Sequence, residues 1–169
     1  MKEMNTSKKI CYLAMGVAMY VVFGMTVKIP LISHIQTDLG YMVYGAFLNC
    51  FGVCGIIVGV LGCLIESMIF SGWIPVGWMV GQVFIGLICG VCYKEIRKRN
   101  HLKYVLYVVV TAVSVFIGVG LIKTIIECKL YGIPFEIKVV KNLVAALADT
   151  IPMAVGSMSI EQIRKRINL

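Results

Sequence analysis

Residues 72–99 read GWIPVGWMVGQVFIGLICGVCYKEIRKR, an apolar stretch that ends in a cluster of cations. Between Trp73 and Tyr93 there is no charged residue, and about 20 apolar residues are what a helix needs to cross a bilayer. Lys and Arg are enriched on the cytoplasmic side of membrane helices. The stretch therefore predicts a membrane-spanning helix that runs inward and reaches the cytoplasm at Lys94.

The composition extends this interpretation to the whole chain. Of its 169 residues, 60% are hydrophobic and only 14% are charged. A water-soluble domain of this size leaves much of its surface in water and could not cover so much apolar area. We therefore predict an all-α integral membrane protein with one transmembrane domain over residues 1–169. The first apolar segment, from Ile10, is long enough to remain as a helix and lacks the small-residue cleavage site of a signal peptide.

The distribution of Lys and Arg favours a bundle of six transmembrane helices with the N- and C-termini cytoplasmic. In that topology eleven of the 16 Lys and Arg lie on the cytoplasmic side and five on the other, as the positive-inside rule requires. Membrane topology thus explains the net charge of +8 better than a nucleic-acid-binding surface does. Little more than Gly52 separates the second helix from the third, so one bent segment is the alternative. The predicted helices cover about residues 10–29, 39–51, 53–70, 74–94, 103–126 and 138–158, with outer loops at about 28–38 and 127–137.

Polar residues in the outer halves of these helices predict a binding pocket. A polar residue inside a membrane costs free energy, so it usually faces the bundle interior and often marks a binding path. Asn142 and Asp149 are seven residues apart and therefore share one helix face. Aromatic rings, amides and a few charges of both signs suit a flat, polar small molecule. The candidate substrate-binding residues are Tyr41, Tyr44, Glu66, Trp78, Gln82, Lys123, Asn142 and Asp149.

Three of these residues have an equally simple structural interpretation. Gln82 could form an interhelical hydrogen bond, worth about 1 kcal/mol. Glu66 could form an ion pair with Lys123. Lys123 could instead pair with Glu127, one turn further along its own helix.

The other candidates are harder to explain by structure alone. Trp73 fits the aromatic belt at the membrane interface, whereas Trp78 lies deeper and fits a pocket better. Asp149 is the most costly residue of the set to bury. Its alternative role is structural, with Asn142 or a neighbouring backbone group as partner.

A stripe of small residues in the first helix predicts a contact surface. Ala14, Gly16 and Ala18 lie at spacings that let helices approach closely in lipid. Packing inside the bundle explains most of the glycines elsewhere, but this stripe could face another protein.

Nothing in the sequence supports catalysis, a cofactor or a metal site. The patterns of common nucleophile, zinc and phosphate sites do not occur. Cys89 and Cys92 form a C-x-x-C inside an apolar segment with no histidine nearby, so they are read as small hydrophobic residues. The histidines, His34 and His101, lie in predicted loops on opposite sides of the membrane.

The chain resembles the S components, the substrate-binding membrane subunits of energy-coupling factor (ECF) vitamin transporters. The resemblance rests on four motifs and on their order in a chain of this size. These are AMGVA at 14–18, KIPLISHIQTDLGY at 28–41, FGVCGIIVGVLGCLIES at 51–67 and GWIPVGWMVGQVFIGLICG at 72–90. The chain is most similar to the riboflavin-type group, for which we expect G-H-x-x-x-D at the end of the third helix. Residues 62–67 read GCLIES instead, which leaves riboflavin-like, thiamine-precursor and B6-like heterocycles open as substrates.

The resemblance implies a high-affinity subunit that binds a vitamin or precursor from outside the plasma membrane of a prokaryote. It implies that Ala14 and Ala18 dock to a membrane coupling subunit, the T component. Two ATPase subunits would then power toppling of the S component within the bilayer. The loop that holds His34, Gln36 and Asp38 would gate the site, although by sequence alone these residues read as a solvated loop.

Two other classes of function remain as alternatives. A stand-alone secondary transporter or small channel would need a site for a coupling ion, and Asp149 is the deep acid that could supply it. A subunit that serves only in assembly would bind no ligand. An enzyme is the weakest interpretation.

Overall fold

The computed structural model describes residues 5–26, 28–30, 36–98 and 102–167, and these residues form a helical bundle with one short β-hairpin. The hairpin pairs its two strands antiparallel, with Lys28 opposite Asp38. The elements are α1 (Thr6–Thr26), β1 (Lys28–Pro30), β2 (Gln36–Asp38), α2 (Gly40–Phe51), a 3₁₀ turn (Gly52–Gly55), α3 (Ile56–Ser71), α4 (Val76–Ile96), α5 (Lys103–Val115), a π-helical segment (Phe116–Lys123), α6 (Thr124–Tyr131) and α7 (Phe135–Ile167).

Within the described residues, five helical segments are long and apolar enough to cross a membrane. The all-α membrane bundle predicted from the sequence is therefore confirmed, whereas the count of six crossings and the side of the termini stay predictions. The five segments are Thr6–Thr26, Gly40–Ser71, Val76–Ile96, Lys103–Tyr131 and Phe135–Arg166.

The apolar segment Gly40–Ser71 is folded back on itself. Gly52 has a φ of +60°, a conformation that glycine adopts without steric cost, and it ends α2. A methyl group built on Gly55 would lie 3.0 Å from the Cα of Leu48, seven residues earlier. One straight helix would hold those two residues far apart, because each residue adds 1.5 Å of rise. Helices α2 and α3 are therefore separate and antiparallel, as the predicted six-helix pattern requires.

The predicted outer loop at 127–137 is wrong. Helix α6 continues to Tyr131, and α7 begins at Phe135, so only three residues connect them. Gly132 ends α6 in a left-handed conformation, with φ of +64°. An ion pair between Glu127 and Lys138, with 2.9 Å between Oε2 and Nζ, joins the two helices across this connection. Glu127 is therefore a buried, paired residue of α6 and not part of a solvated loop.

Helices α2 and α7 pack through their backbones. A Cβ added to Gly45 would overlap the carbonyl oxygen of Met153, and one added to Gly156 would overlap that of Met42. Glycines at such positions allow the close approach of helices in lipid, where packing and not hydrophobic burial holds helices together. This contact fixes α7, which supplies one wall of the pocket described below.

Substitution of Gly156 by alanine is expected to destabilise the bundle by about 1–3 kcal/mol, the usual cost of overpacking a tight interface. The added methyl group would meet backbone atoms, which cannot rotate away. The midpoint of thermal unfolding in detergent measures the effect. Gly120→Ala is the control, because its methyl group would meet only the Phe116 ring at 3.7 Å. Equal midpoints for the two variants would contradict the backbone contact between α2 and α7.

Candidate functional site

A pocket of about 260 Å³ lies where β2 meets the ends of several helices. Its volume is close to the lower end of the range for small-molecule sites. Its lining combines aromatic rings, hydroxyls, an amide and charged groups of both signs. The lining residues are Tyr20, Thr37, Asp38, Tyr41, Cys63, Glu66, Ser67, Phe70, Ser71, Trp78, Lys123, Lys141, Asn142, Ala145 and Asp149.

One corner of the pocket is built around the buried ammonium group of Lys123. Its Nζ lies 3.4 Å from the centre of the Trp78 ring and donates to Oδ1 of Asn142 at 2.9 Å. A cation over the face of a tryptophan is attracted by the ring quadrupole, by about 2 kcal/mol when the pair is shielded from water. Glu127 adds a more distant charge, with 4.0 Å between its Oε1 and Nζ. We call Lys123, Trp78 and Asn142 the basic corner.

The π-helical segment places Lys123 in this corner. Residues 116–123 form wider turns than an α-helix, and such segments frequently occur at functional sites. Gly118 of the segment and Gly81 of α4 pack backbone to backbone. A Cβ on either would lie less than 3 Å from the carbonyl oxygen of the other. The close approach brings Lys123 beside Trp78, which precedes Gly81 by three residues.

Acidic groups gather in another part of the pocket. A methyl group built on Gly24 of α1 would lie 2.8 Å from Oδ1 of Asp38 and 2.8 Å from Oε2 of Glu66, so both carboxylates meet at the same point of α1. Asp149, from α7, lines the same pocket and is almost fully buried. The backbone N–H of Gly40 donates to Oδ1 of Asp38 at 2.6 Å. We call Asp38, Glu66 and Asp149 the acidic wall.

The structure brings six of the eight candidate binding residues to one pocket, and they are Tyr41, Glu66, Trp78, Lys123, Asn142 and Asp149. One structural alternative is realised as well, since Nζ of Lys123 lies 4.0 Å from Oε1 of Glu127, one turn further along the chain. One face of Trp78 is covered by Lys123, and the centre of the Tyr41 ring lies 6.4 Å from that of Trp78, tilted by 59°.

The other two candidates, Tyr44 and Gln82, do not line the pocket. Both are buried, and the Tyr44 hydroxyl donates to the backbone carbonyl of Gln82 at 2.6 Å. The side-chain amide of Gln82 has no hydrogen-bond partner among the residues that the structure describes. Gln82 lies one helical turn beyond Trp78 on the same face of α4, in the interior of the bundle. The prediction that both residues face the bundle interior is correct. The prediction that they line the pocket is wrong.

The predicted gating residues fall in different places. Asp38 lines the pocket from β2 and belongs to the acidic wall, so its description as a residue of a solvated loop is wrong. Gln36 begins the same strand. His34 lies outside the described residues.

The predicted docking stripe of α1 is divided between two faces. Ala14 and Ala18 are exposed, next to the exposed side chains of Met15 and Met19. Gly16 is buried instead and faces Phe47 of α2, whose ring would lie 2.6 Å from an added Cβ. Gly16 is therefore a packing residue within the bundle, which corrects its assignment to the docking surface.

Sequence reasoning missed several residues of the pocket wall. Tyr20 sits in the apolar part of α1, and its ring fills the space beside Gly40 and Gly62. Thr37 belongs to a strand that was predicted as loop. The polar residues that follow Cys63 at the C-terminal end of α3 were a usable signal, because Glu66 and Ser67 lie together there and Ser71 follows one turn later. The full set that the prediction omitted is Tyr20, Thr37, Cys63, Ser67, Phe70, Ser71, Lys141 and Ala145.

Comparison with known proteins identifies relatives over nearly the whole chain. A UPF0397 protein of Streptococcus thermophilus (strain ATCC BAA-491 / LMD-9) is 24% identical over 157 residues, which cover 90% of this chain and 87% of that protein. A UPF0397 protein of Lactococcus lactis subsp. cremoris (strain NZ9000) is 26% identical over 166 residues, with coverage of 90% and 87%.

A solved structure shares the fold. The crystal structure at 2.1 Å of the S-component for biotin from an ECF-type ABC transporter superimposes with a TM-score of 0.64. The match covers 96% of this chain and 95% of that chain at 17% identity. The model of the family described as ECF-type riboflavin transporter, S component, matches residues 4–165. The chain therefore belongs to the family of ECF-type riboflavin transporter S components.

Proposed function

We propose that this chain is the substrate-binding subunit of an ECF-type importer and that the pocket at β2 holds a vitamin or vitamin precursor. The observation that carries the proposal is the pocket itself. It joins Trp78, a fixed cation at Lys123 and an almost fully buried acid at Asp149. Buried charges cost free energy in a membrane and usually mark a substrate path. The family to which the chain belongs supports the same reading.

In this proposal the chain crosses the membrane six times, with both termini in the cytoplasm. The antiparallel pair α2 and α3 supports six crossings, although the 12 residues of α2 span only part of a bilayer. The cations at the end of α4 would then face the cytoplasm, and β2 with its pocket would face outward. The bacterial relatives support a location in the plasma membrane of a prokaryote.

The proposed partners are a membrane coupling subunit, the T component, and two ATPase subunits. The exposed face of α1 that carries Ala14 and Ala18 is the proposed docking surface. Exposed small residues at this spacing allow a second helix to approach closely in lipid. The chain itself would bind and carry the ligand, while the partners would supply the energy.

Identification of the ligand that co-purifies with the chain tests this function. The full chain would be purified in detergent, and its ligand would be read by absorbance and mass spectrometry. We expect a vitamin-like heterocycle, or stabilisation of the empty protein by one member of a panel of vitamins and precursors. No bound molecule and no thermal shift with the panel would contradict the proposal. Uptake by the chain alone, abolished by an uncoupler, would instead favour a stand-alone secondary transporter with Asp149 as the coupling acid.

A further inference from the structure

The two polar residues of the basic corner, Lys123 and Asn142, are held from behind by side chains that do not line the pocket. Oδ1 of Asn142 accepts from the Lys123 ammonium group at 2.9 Å, and its Nδ2 donates to Oγ1 of Thr124 at 2.9 Å. Glu127 lies behind both corner residues. Its Oε1 is 4.0 Å from Nζ of Lys123, and its Oε2 is 3.4 Å from Nδ2 of Asn142.

The neighbours of Asn142 determine which end of its amide faces Lys123. An amide accepts through its oxygen and donates through its nitrogen, so the surrounding hydrogen bonds decide its orientation. The single hydroxyl proton of Thr124 is used, because it is donated to the Gly120 carbonyl at 2.6 Å. The carboxylate of Glu127 offers acceptors only. Both groups therefore require the amide nitrogen of Asn142 and turn its oxygen toward Lys123.

Glu127 is itself confined by two other helices. It is a buried residue of α6, and its Oε2 accepts from Nζ of Lys138, in α7, at 2.9 Å. A Cβ added to Gly77 of α4 would lie 3.1 Å from Cγ of Glu127, so α4 packs directly on the stem of this side chain. Residues that are locked by packing and hydrogen bonds are the ones that keep the groups of a binding site in place.

We propose that Glu127 is a positioning residue of the ligand site, which holds the Lys123 ammonium group against the Trp78 ring. It acts through the orientation of Asn142 and through its own negative charge. Without the carboxylate, Lys123 loses an ion-pair partner and its ammonium group leaves the ring face. The inference rests on the proposed function only in treating the basic corner as a ligand contact. The competing explanation is that Glu127 merely joins α6 to α7 through Lys138.

The fluorescence of Trp78 tests the inference without a ligand. The chain has two tryptophans, so Trp73→Phe leaves Trp78 as the only indole. A cation on the face of an indole interacts with its ring electrons, and its departure therefore changes the emission spectrum. Lys123→Met in this background supplies the spectrum without the cation. We expect Glu127→Gln to move the spectrum most of the way toward that of Lys123→Met.

Lys138→Met is the matched control for both substitutions. It removes an ammonium group and the 2.9 Å pair between α6 and α7, and it leaves the carboxylate of Glu127 beside Lys123. We expect its emission spectrum to equal that of the Trp73→Phe background, even if its midpoint of thermal unfolding falls as far as that of Glu127→Gln. An equal spectral shift in the Lys138 and Glu127 variants would show that Glu127 only joins the two helices, and would overturn the inference.

Ligand binding gives a second readout. Riboflavin, pyridoxine and 4-amino-5-hydroxymethyl-2-methylpyrimidine would be titrated by calorimetry into the full chain in detergent, after removal of any co-purified ligand. A probe that binds the unmodified chain should bind Glu127→Gln about tenfold more weakly, the usual effect of losing a charge-assisted hydrogen bond. It should bind Lys138→Met with unchanged affinity. Equal affinity for the unmodified chain and Glu127→Gln would overturn the inference.

The two readouts separate this inference from the proposed function. Absence of binding by every probe would count against the proposed function, while the emission spectra would still decide the role of Glu127. An emission spectrum that does not change in Glu127→Gln would overturn the inference whatever the chain binds. If Glu127→Gln does not fold, Glu127→Asp replaces it, because its shorter side chain draws the carboxylate away from Lys123 and Asn142. We expect a smaller shift in the same direction, and no shift would again overturn the inference.

Discussion

Trp78→Ala is expected to weaken ligand binding well over tenfold, while Trp73→Ala leaves it unchanged. Trp78 lines the pocket and holds Lys123 beneath its ring, with 3.4 Å between Nζ and the ring centre. Truncation to alanine removes the aromatic wall and the contact between the Trp78 ring and the ammonium group of Lys123. Loss of a tryptophan that anchors a binding site typically costs about 2 kcal/mol or more, and every 1.4 kcal/mol is about tenfold in affinity.

Trp73 is a control of the same residue type, five residues earlier in the chain. Its side chain is 55% exposed, and its ring packs at 5.4 Å from that of Tyr131, at the end of α6. This position suits the aromatic belt at the membrane interface. Both variants remove one indole, so a general effect on stability in detergent would affect both.

The measurement is the dissociation constant of the co-purified ligand, read by calorimetry with each purified variant. Trp78→Phe adds an intermediate, because a smaller ring keeps a face for Lys123 and for the ligand. We expect its affinity to lie between those of the unmodified chain and Trp78→Ala. Binding by Trp78→Ala that equals that of the unmodified chain would place the ligand elsewhere in the protein.

The pattern of charge and hydropathy was sufficient to predict a helical membrane bundle. Long apolar runs leave few alternatives for a chain in lipid, because every backbone polar group must be satisfied internally. The fold-back at Gly52 was less certain from sequence, since the apolar run continues through it without a charged residue. In the structure, the contact between Leu48 and Gly55 shows that the chain turns back at Gly52.

The basic corner was predictable because two of its members are costly to bury. Lys123 and Asn142 are polar residues in apolar helices, so they had to face one another or a ligand. The same expectation, that a buried polar residue marks a binding site, wrongly assigned Gln82 to the pocket. Burial alone does not distinguish a residue that lines a pocket from one in the packed interior beside it. The hydrogen bond from Tyr44 to the backbone of Gln82 depends on the packing of α2 against α4, which no local pattern reveals.

Sequence reasoning placed Glu66 and Asp149 of the acidic wall in the pocket but did not place Asp38 beside them. Asp38 lies in a segment whose length and composition are typical of a loop, and its strand forms only by pairing with β1. The meeting of Asp38 and Glu66 at Gly24 joins three elements that are far apart in the chain. Spacing rules describe one helix or strand at a time, so they cannot predict a contact between three elements.

Ala14→Trp is expected to abolish transport while leaving ligand binding intact. Ala14 and Ala18 form an exposed small-residue face on α1, which packs against α2 and α3 through its other side. The pocket receives only Tyr20 from this helix, so an outward-facing indole at position 14 should not reach it. The same indole would hold a coupling subunit away from the helix, because close approach in lipid depends on small side chains.

The test measures uptake of the labelled ligand by cells that express the chain with its coupling and ATPase subunits, beside ligand binding by the purified variant. Val109→Trp is the matched control, since Val109 is 50% exposed on α5, a helix that packs on α4 and α7. It adds an indole to a lipid-facing surface away from α1 and should transport normally. Normal uptake by Ala14→Trp would remove this face of α1 as the docking surface. Loss of uptake in both variants would show that an indole on any outer face blocks transport, and the specific role of α1 would then fail.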